Sequence, residues 1–153
     1  MNRKIVIIGI IALVIDQITK SLMQIYDVHF NIINNFLSFN YLQNTGAAWS
    51  ILEGKQYLLI AISIVMLILV YNMSFSYENK LLNNITFGLL FGGIIGNLFD
   101  RVLYGFVRDF IDINIFGYNY PVFNIADIAI VLGVLILLVS TFKGEIKKWK
   151  SKL

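Results

Sequence analysis

The chemistry in this sequence lies in a few acidic, basic and amide side chains set at the ends of apolar runs. The stretch PVFNIADIAIVLGVLILLVS, residues 121–140, is membrane-helix material, yet its first turns carry Asn124 and Asp127. A carboxylate at the centre of a membrane helix costs roughly 2.5–3.5 kcal/mol on insertion scales, so such groups usually face a cavity or a partner. Asp16 and Lys20 are four residues apart in another apolar run and share a helix face. Asn97, Asp100 and Arg101 close a third run, and Asn44, Asp109 and Asp112 lie in the connecting segments. Two such acids held side by side share a proton, because both cannot cheaply ionise together. One then acts as base on a water while the other, protonated, polarises a carbonyl. Asp109 and Asp127 are the natural pair, with Asp112 competing for the first place and Asp16 or Asp100 for the second. Each of these polar groups also has a plainer role open to it. Asn124 could be a helix N-cap, and Lys20 or Arg101 could simply compensate carboxylates.

Composition narrows the chemistry. The 153 residues contain no Cys and a single His, His29, which excludes thiolate catalysis and Cys-ligated metals and leaves one residue for any His-based site. The chain is 58% hydrophobic and 14% charged, against about 25% charged in a soluble domain. That marks an integral membrane protein.

Four stretches are long enough to cross about 30 Å of hydrocarbon as helices: 5–22, 57–73, 81–99 and 122–142. The first is expected to be a retained helix rather than a signal peptide, since Asp16 and Lys20 stand where a small-residue cleavage site would be needed. Arg3, Lys4, Lys80 and the Lys residues from 143 onward fall on one side of a four-span layout. Lys20, Lys55, Arg101 and Arg108 fall on the other. The excess predicts cytoplasmic termini. The basic tail GEIKKWKSKL suits an anionic inner leaflet. Outer segments 27–56 and 101–121 are aromatic and β-prone, with pairing expected over 36–43 and a turn at Asn44-Thr45-Gly46. Gly88, Gly92 and Gly96, spaced by four with Gly93 beside them, predict close helix approach near Asn97. The expected fold is one membrane all-α domain over 1–153: a four-transmembrane-helix bundle with a small β-rich extracytoplasmic platform. A transporter is disfavoured because the polar groups gather at one end, and a non-catalytic assembly factor would leave the carboxylates without a task.

Five motifs, in order along nearly the whole chain, carry a resemblance: DQITK at 16–20, QNTGAAWS at 43–50, GNLFDR at 96–101, VRDFID at 107–112 and FNIAD at 123–127. Together they resemble the lipoprotein signal peptidase family, signal peptidase II, a bacterial intramembrane aspartic peptidase family. The resemblance implies removal of signal peptides from diacylglyceryl-modified prolipoproteins, with the cut just before the lipidated Cys. It implies Asp109 and Asp127 as catalytic residues and Asn44, Asn97, Arg101, Asn124, Asp16 and Lys20 as site-lining groups. The implied partners are prolipoproteins and membrane lipid, with no cofactor, metal or nucleic acid. The implied location is the bacterial cytoplasmic membrane, multi-pass, with the site near the outer face. Leu98-Phe99 and Ile128 depart mildly from the family pattern without removing a polar group.

Overall fold

The computed structural model describes residues 1–150, with the side chains of Ser50 and 143–150 outside the description, so the side chains of the basic tail GEIKKWKSKL lie outside the described residues. Helix α1 (Arg3–Ile25) is followed by strands β1 (His29–Ile33) and β2 (Leu37–Asn44) and a 3₁₀ turn, Ala48–Ser50. Then come α2 (Gln56–Ser76), α3 (Leu81–Tyr104), β3 (Val107–Ile115), β4 (Tyr118–Asn119) and α4 (Ile125–Lys150). Among the described residues, four helices are long and apolar enough to cross a membrane: Arg3–Ile25, Gln56–Ser76, Leu81–Tyr104 and Ile125–Phe142.

The third helix is central, packed against the other three. Its glycines set the distances. A Cβ on Gly92 would stand 2.6 Å from the Gly9 carbonyl and one on Gly88 2.6 Å from Ile8, so α1 and α3 touch backbone to backbone. A Cβ on Gly93 would stand 2.5 Å from the Ala126 carbonyl, which brings α4 equally close on the other side. Ile5, Val70, Phe87, Leu90 and Ile94 form the apolar core at the opposite end from the sheet. Helix α2 is apolar all round and buries only Leu59, Ser63 and Val70, which suits a lipid-facing span.

The sheet is antiparallel in the order β1-β2-β3-β4. Ile115 pairs with Tyr118 across Phe116-Gly117, both at positive φ (50° and 86°), the geometry a two-residue hairpin requires. The segment before α4 is stapled to β3: Phe123 N–H donates to Ile111 O at 3.0 Å, and Ile111 N–H donates back to Phe123 O at 2.8 Å.

Among the boundaries that differ from the sequence expectation, two bear on the site. The third helix runs on to Tyr104 and stops at Gly105, whose φ of +79° makes the left-handed cap, so Arg101 lies in its last turn rather than in the outer segment. The fourth helix begins at Ile125 instead of 122, because Phe123 is held by β3.

Candidate active site

Asn124 starts the site. Its side-chain Oδ1 accepts from Asp127 N–H at 2.9 Å, and Asp127 Oδ2 accepts from Asn124 N–H at 3.2 Å. This reciprocal pair is a capping box, with a carboxylate at the third helical position. The cap role and the carboxylate near the membrane boundary are therefore one feature.

The amide of Asn124 then reaches outward. Its Nδ2 donates to Asp109 Oδ1 at 2.6 Å and to Asn97 Oδ1 at 3.1 Å. Asn97 Nδ2 donates to Asp127 Oδ1 at 2.7 Å. The two carboxylates are thus joined through two buried amides. Asp109 is delivered by β3, and its second oxygen accepts from Asn44 Nδ2 at 2.8 Å. Leu42 pairs with Asp109 across the β2–β3 ladder, so Asn44, two residues on, shares its face. Burial pushes the Asp109 carboxyl up to about 7, and the Asp127 carboxylate adds to the rise, while Asn44 and Asn124 partly offset it.

Among the described residues, Asp109 and Asp127 are the only carboxylates lining a cavity of about 470 Å³, alongside Asn44, Asn97 and Arg101. Apolar residues, among them Val122, Ile130 and Leu132, make up much of the remaining wall. Arg101 Nη2 donates to Gly46 O at 3.1 Å, while its Nε is buried without a partner among the described residues.

The competing acids are elsewhere. Asp112 turns to the other face of the sheet, where its Oδ2 accepts from Asn40 Nδ2 at 2.8 Å. His29 is exposed on β1 beside Asp27. Asp16 and Lys20, expected to line the site, are fully buried behind it. Lys20 Nζ lies 2.9 Å from Asp16 and 3.5 Å from Asp100, and donates to Asn97 Oδ1 at 2.8 Å. Asp16 Oδ1 accepts from Ala126 N–H at 2.8 Å, a free donor of the first turn of α4. This pair braces the wall instead of forming it, because the helices pack too closely there to leave space for a ligand. Asn124 is likewise fully buried, as the bridge between the carboxylates.

One residue absent from the sequence-level site is Arg108, read there only as an outer cation. It is 1% exposed and ion-paired with Asp100 at 2.7 Å. Burial opposes its charge, but Asp100 outweighs that and holds the guanidinium above the ordinary arginine range. The available signal was strand period: in VRDF, successive residues face opposite ways, so Arg108 must point away from Asp109 into the bundle.

Residues 8–143 match the family model described as signal peptidase (SPase) II. The chain belongs to the signal peptidase II family. Lipoprotein signal peptidases of Staphylococcus aureus strains RF122 / ET3-1 and MRSA252 are each 40% identical over 148 residues, covering 94% of this chain and 90% of theirs. Two solved structures of a bacterial membrane enzyme share the fold. One has a TM-score of 0.84 at 37% identity, covering 94% of this chain and 90% of that one. The other has a TM-score of 0.78 at 37% identity, covering 91% and 92%. The signal peptidase II membership and the four-helix-plus-sheet architecture agree with the fold expected from the sequence.

Proposed function

We propose that this chain is an aspartic endopeptidase that removes signal peptides from diacylglyceryl-modified prolipoproteins, cutting just before the lipidated Cys. The observation that carries this reading is the pair of carboxylates, Asp109 and Asp127, facing one apolar-walled cavity and linked through Asn124 and Asn97. The family and the names of its relatives supply the substrate class.

In this mechanism the dyad holds one proton between two acids, resting on Asp109. Asp127 takes a proton from water as its oxygen attacks the scissile carbonyl carbon, and Asp109 donates to the carbonyl oxygen. The tetrahedral intermediate collapses when Asp127 passes its proton to the nitrogen of the lipidated Cys and Asp109 regains one from the diol. The signal peptide leaves with a new carboxyl end and the lipoprotein with a free amine. Asn44 and Asn124 hold Asp109, and Asn97 holds Asp127. Arg101, with an unpartnered Nε at the cavity, is suited to a substrate carbonyl.

The cavity lies at the end of the bundle opposite the chain's N-terminus. The excess of Lys and Arg on the other side supports reading that end as the outer face of the bacterial cytoplasmic membrane, with both termini cytoplasmic. There a diacylglyceryl anchor in the outer leaflet holds the scissile bond at the level of the two acids. Trp49 and Tyr120, in edge contact at 5.7 Å, suit the headgroup region. Asp112 is half-buried on the other face of the sheet, beside Asn40, and the polar residues of the site gather at one end, which argues against a proton path across the membrane.

The test is cleavage of a lipidated prolipoprotein by the purified protein, beside a non-lipidated control. Asp127→Asn is expected to abolish cleavage while leaving a folded protein. Normal processing by that variant, or equal processing of the non-lipidated control, would refute the reading.

A further inference from the structure

We infer that Arg108 is a positioning residue for Asp109: it registers strand β3 against the membrane helices and so sets where the carboxylate stands. The inference rests on the proposed role of Asp109. Arg108 and Asp109 are consecutive in a strand, so their side chains leave opposite faces. Asp109 enters the cavity. Arg108 enters the interface between α1 and α3.

There every donor of the guanidinium is engaged. Nε donates to Asp100 Oδ2 at 3.2 Å, and Nη2 to Asp100 Oδ1 at 2.7 Å and Gln17 Oε1 at 2.7 Å. Nη1 donates to Ser21 Oγ at 3.2 Å and Gln24 Oε1 at 3.3 Å. The backbone N–H of Arg108 also donates to Asp100 Oδ2, at 3.0 Å. The Tyr104 ring lies 4.6 Å from the guanidinium carbon. Three α1 side chains and two from α3 therefore grip one strand residue. A planar fork with five donors can do this; an ammonium with three cannot.

The grip also joins the support of the other acid. Asp100 is 3.5 Å from Lys20, and Lys20 donates to Asn97, which donates to Asp127. The chain Arg108–Asp100–Lys20–Asn97 thus ties both carboxylates to one buried network. Without it, β3 near Asp109 would be held mainly by its neighbouring strand and the Phe123 staple. Displacing a catalytic group by about 1 Å typically costs on the order of a hundredfold in rate.

The experiment measures cleavage of the lipidated prolipoprotein by purified wild type, Arg108→Lys, Arg108→Met and the double variant Asp100→Asn/Arg108→Met. Asp109→Asn serves as the arm that tests the catalytic reading itself. The double variant removes both ions of the closest pair, so no orphaned charge accounts for its behaviour. Circular dichroism and thermal melting in detergent select the variants that fold. Expected for folded variants is kcat lowered about tenfold in Arg108→Lys and about a hundredfold in Arg108→Met and the double variant, with KM within twofold of wild type. Wild-type kcat in any folded Arg108→Met or double variant overturns the positioning role, as does a loss expressed in KM alone. Wild-type activity in Asp109→Asn would instead overturn the catalytic reading on which it rests.

Discussion

Asn124 and Asp127 cap each other at the start of α4: each backbone N–H is bound by the other's side-chain oxygen, at 3.2 and 2.9 Å. The arrangement fixes the Asp127 rotamer and frees the Asn124 amide to hold Asp109 and Asn97. One asparagine thus ends a helix and aligns a dyad. Replacing it should affect stability and chemistry by different amounts. For Asn124→Ala, loss of the cap is expected to cost about 1 kcal/mol of stability. Cleavage should fall far more, on the order of a hundredfold, because the Asp109 carboxylate loses the Asn124 amide and the Asp127 backbone N–H loses the cap that fixes it. Thermal melting and single-turnover cleavage, measured on the same preparation, check the two parts.

The dyad acts as a unit, so its members should not contribute additively. Asp109→Asn and Asp127→Asn are each expected to lower kcat by at least roughly a thousandfold, and the double variant to be no slower than the worse single variant. Rates that multiply in the double variant would mean two independent roles.

The raised Asp109 pKa of about 7 sets a pH dependence with a definite sign. In the unfolded chain this carboxyl would ionise near about 3.9, so between about 4 and 7 the folded state binds the extra proton. Its contribution to stability is therefore greatest at low pH and is lost as pH rises towards 7. Melting temperatures of wild type should fall from pH 5 to pH 8 relative to those of Asp109→Asn, which cannot titrate there. Cleavage should decline above about pH 7 as the shared proton is lost. A wild-type melting profile parallel to that of the variant would refute the assignment.

Gly93 controls the contact between α3 and α4. A Cβ there would meet the Ala126 carbonyl at 2.5 Å and the Ile130 nitrogen at 3.2 Å, both backbone atoms that cannot swing aside. Gly93→Ala is expected to push the helices apart and lengthen the Asn97–Asp127 bond. Overpacking of this kind costs about 1–3 kcal/mol, visible as a lower melting temperature, and the cleavage rate should drop with it.

Much of this was written in local pattern. Apolar run length marks the four spans, since about 20 residues cross the hydrocarbon whatever they pack against. The Asn124–Asp127 spacing is a capping signature, and four-residue glycine spacing announces close approach. The aromatic alternation after residue 36 marks a strand, found at Leu37–Asn44. Such features depend on neighbours within a few residues, so sequence alone exposes them.

Tertiary packing decided the rest. Gly88 and Gly92 face α1 while Gly93 faces α4, a division that depends on which helices lie on each side of α3. Asp16 and Lys20 carry the same polar types as the lining residues, yet they are buried behind the wall, because that helix approaches α3 too closely to leave a cavity. Arg108 reads in sequence as one outer cation among four; its five partners on α1 and α3 lie 4 to 91 residues away along the chain. Residue type and periodicity state which groups seek a polar neighbour and which face they leave from. Which neighbour they find is set by how helices and strands distant in sequence pack, and that was decided only when the bundle closed.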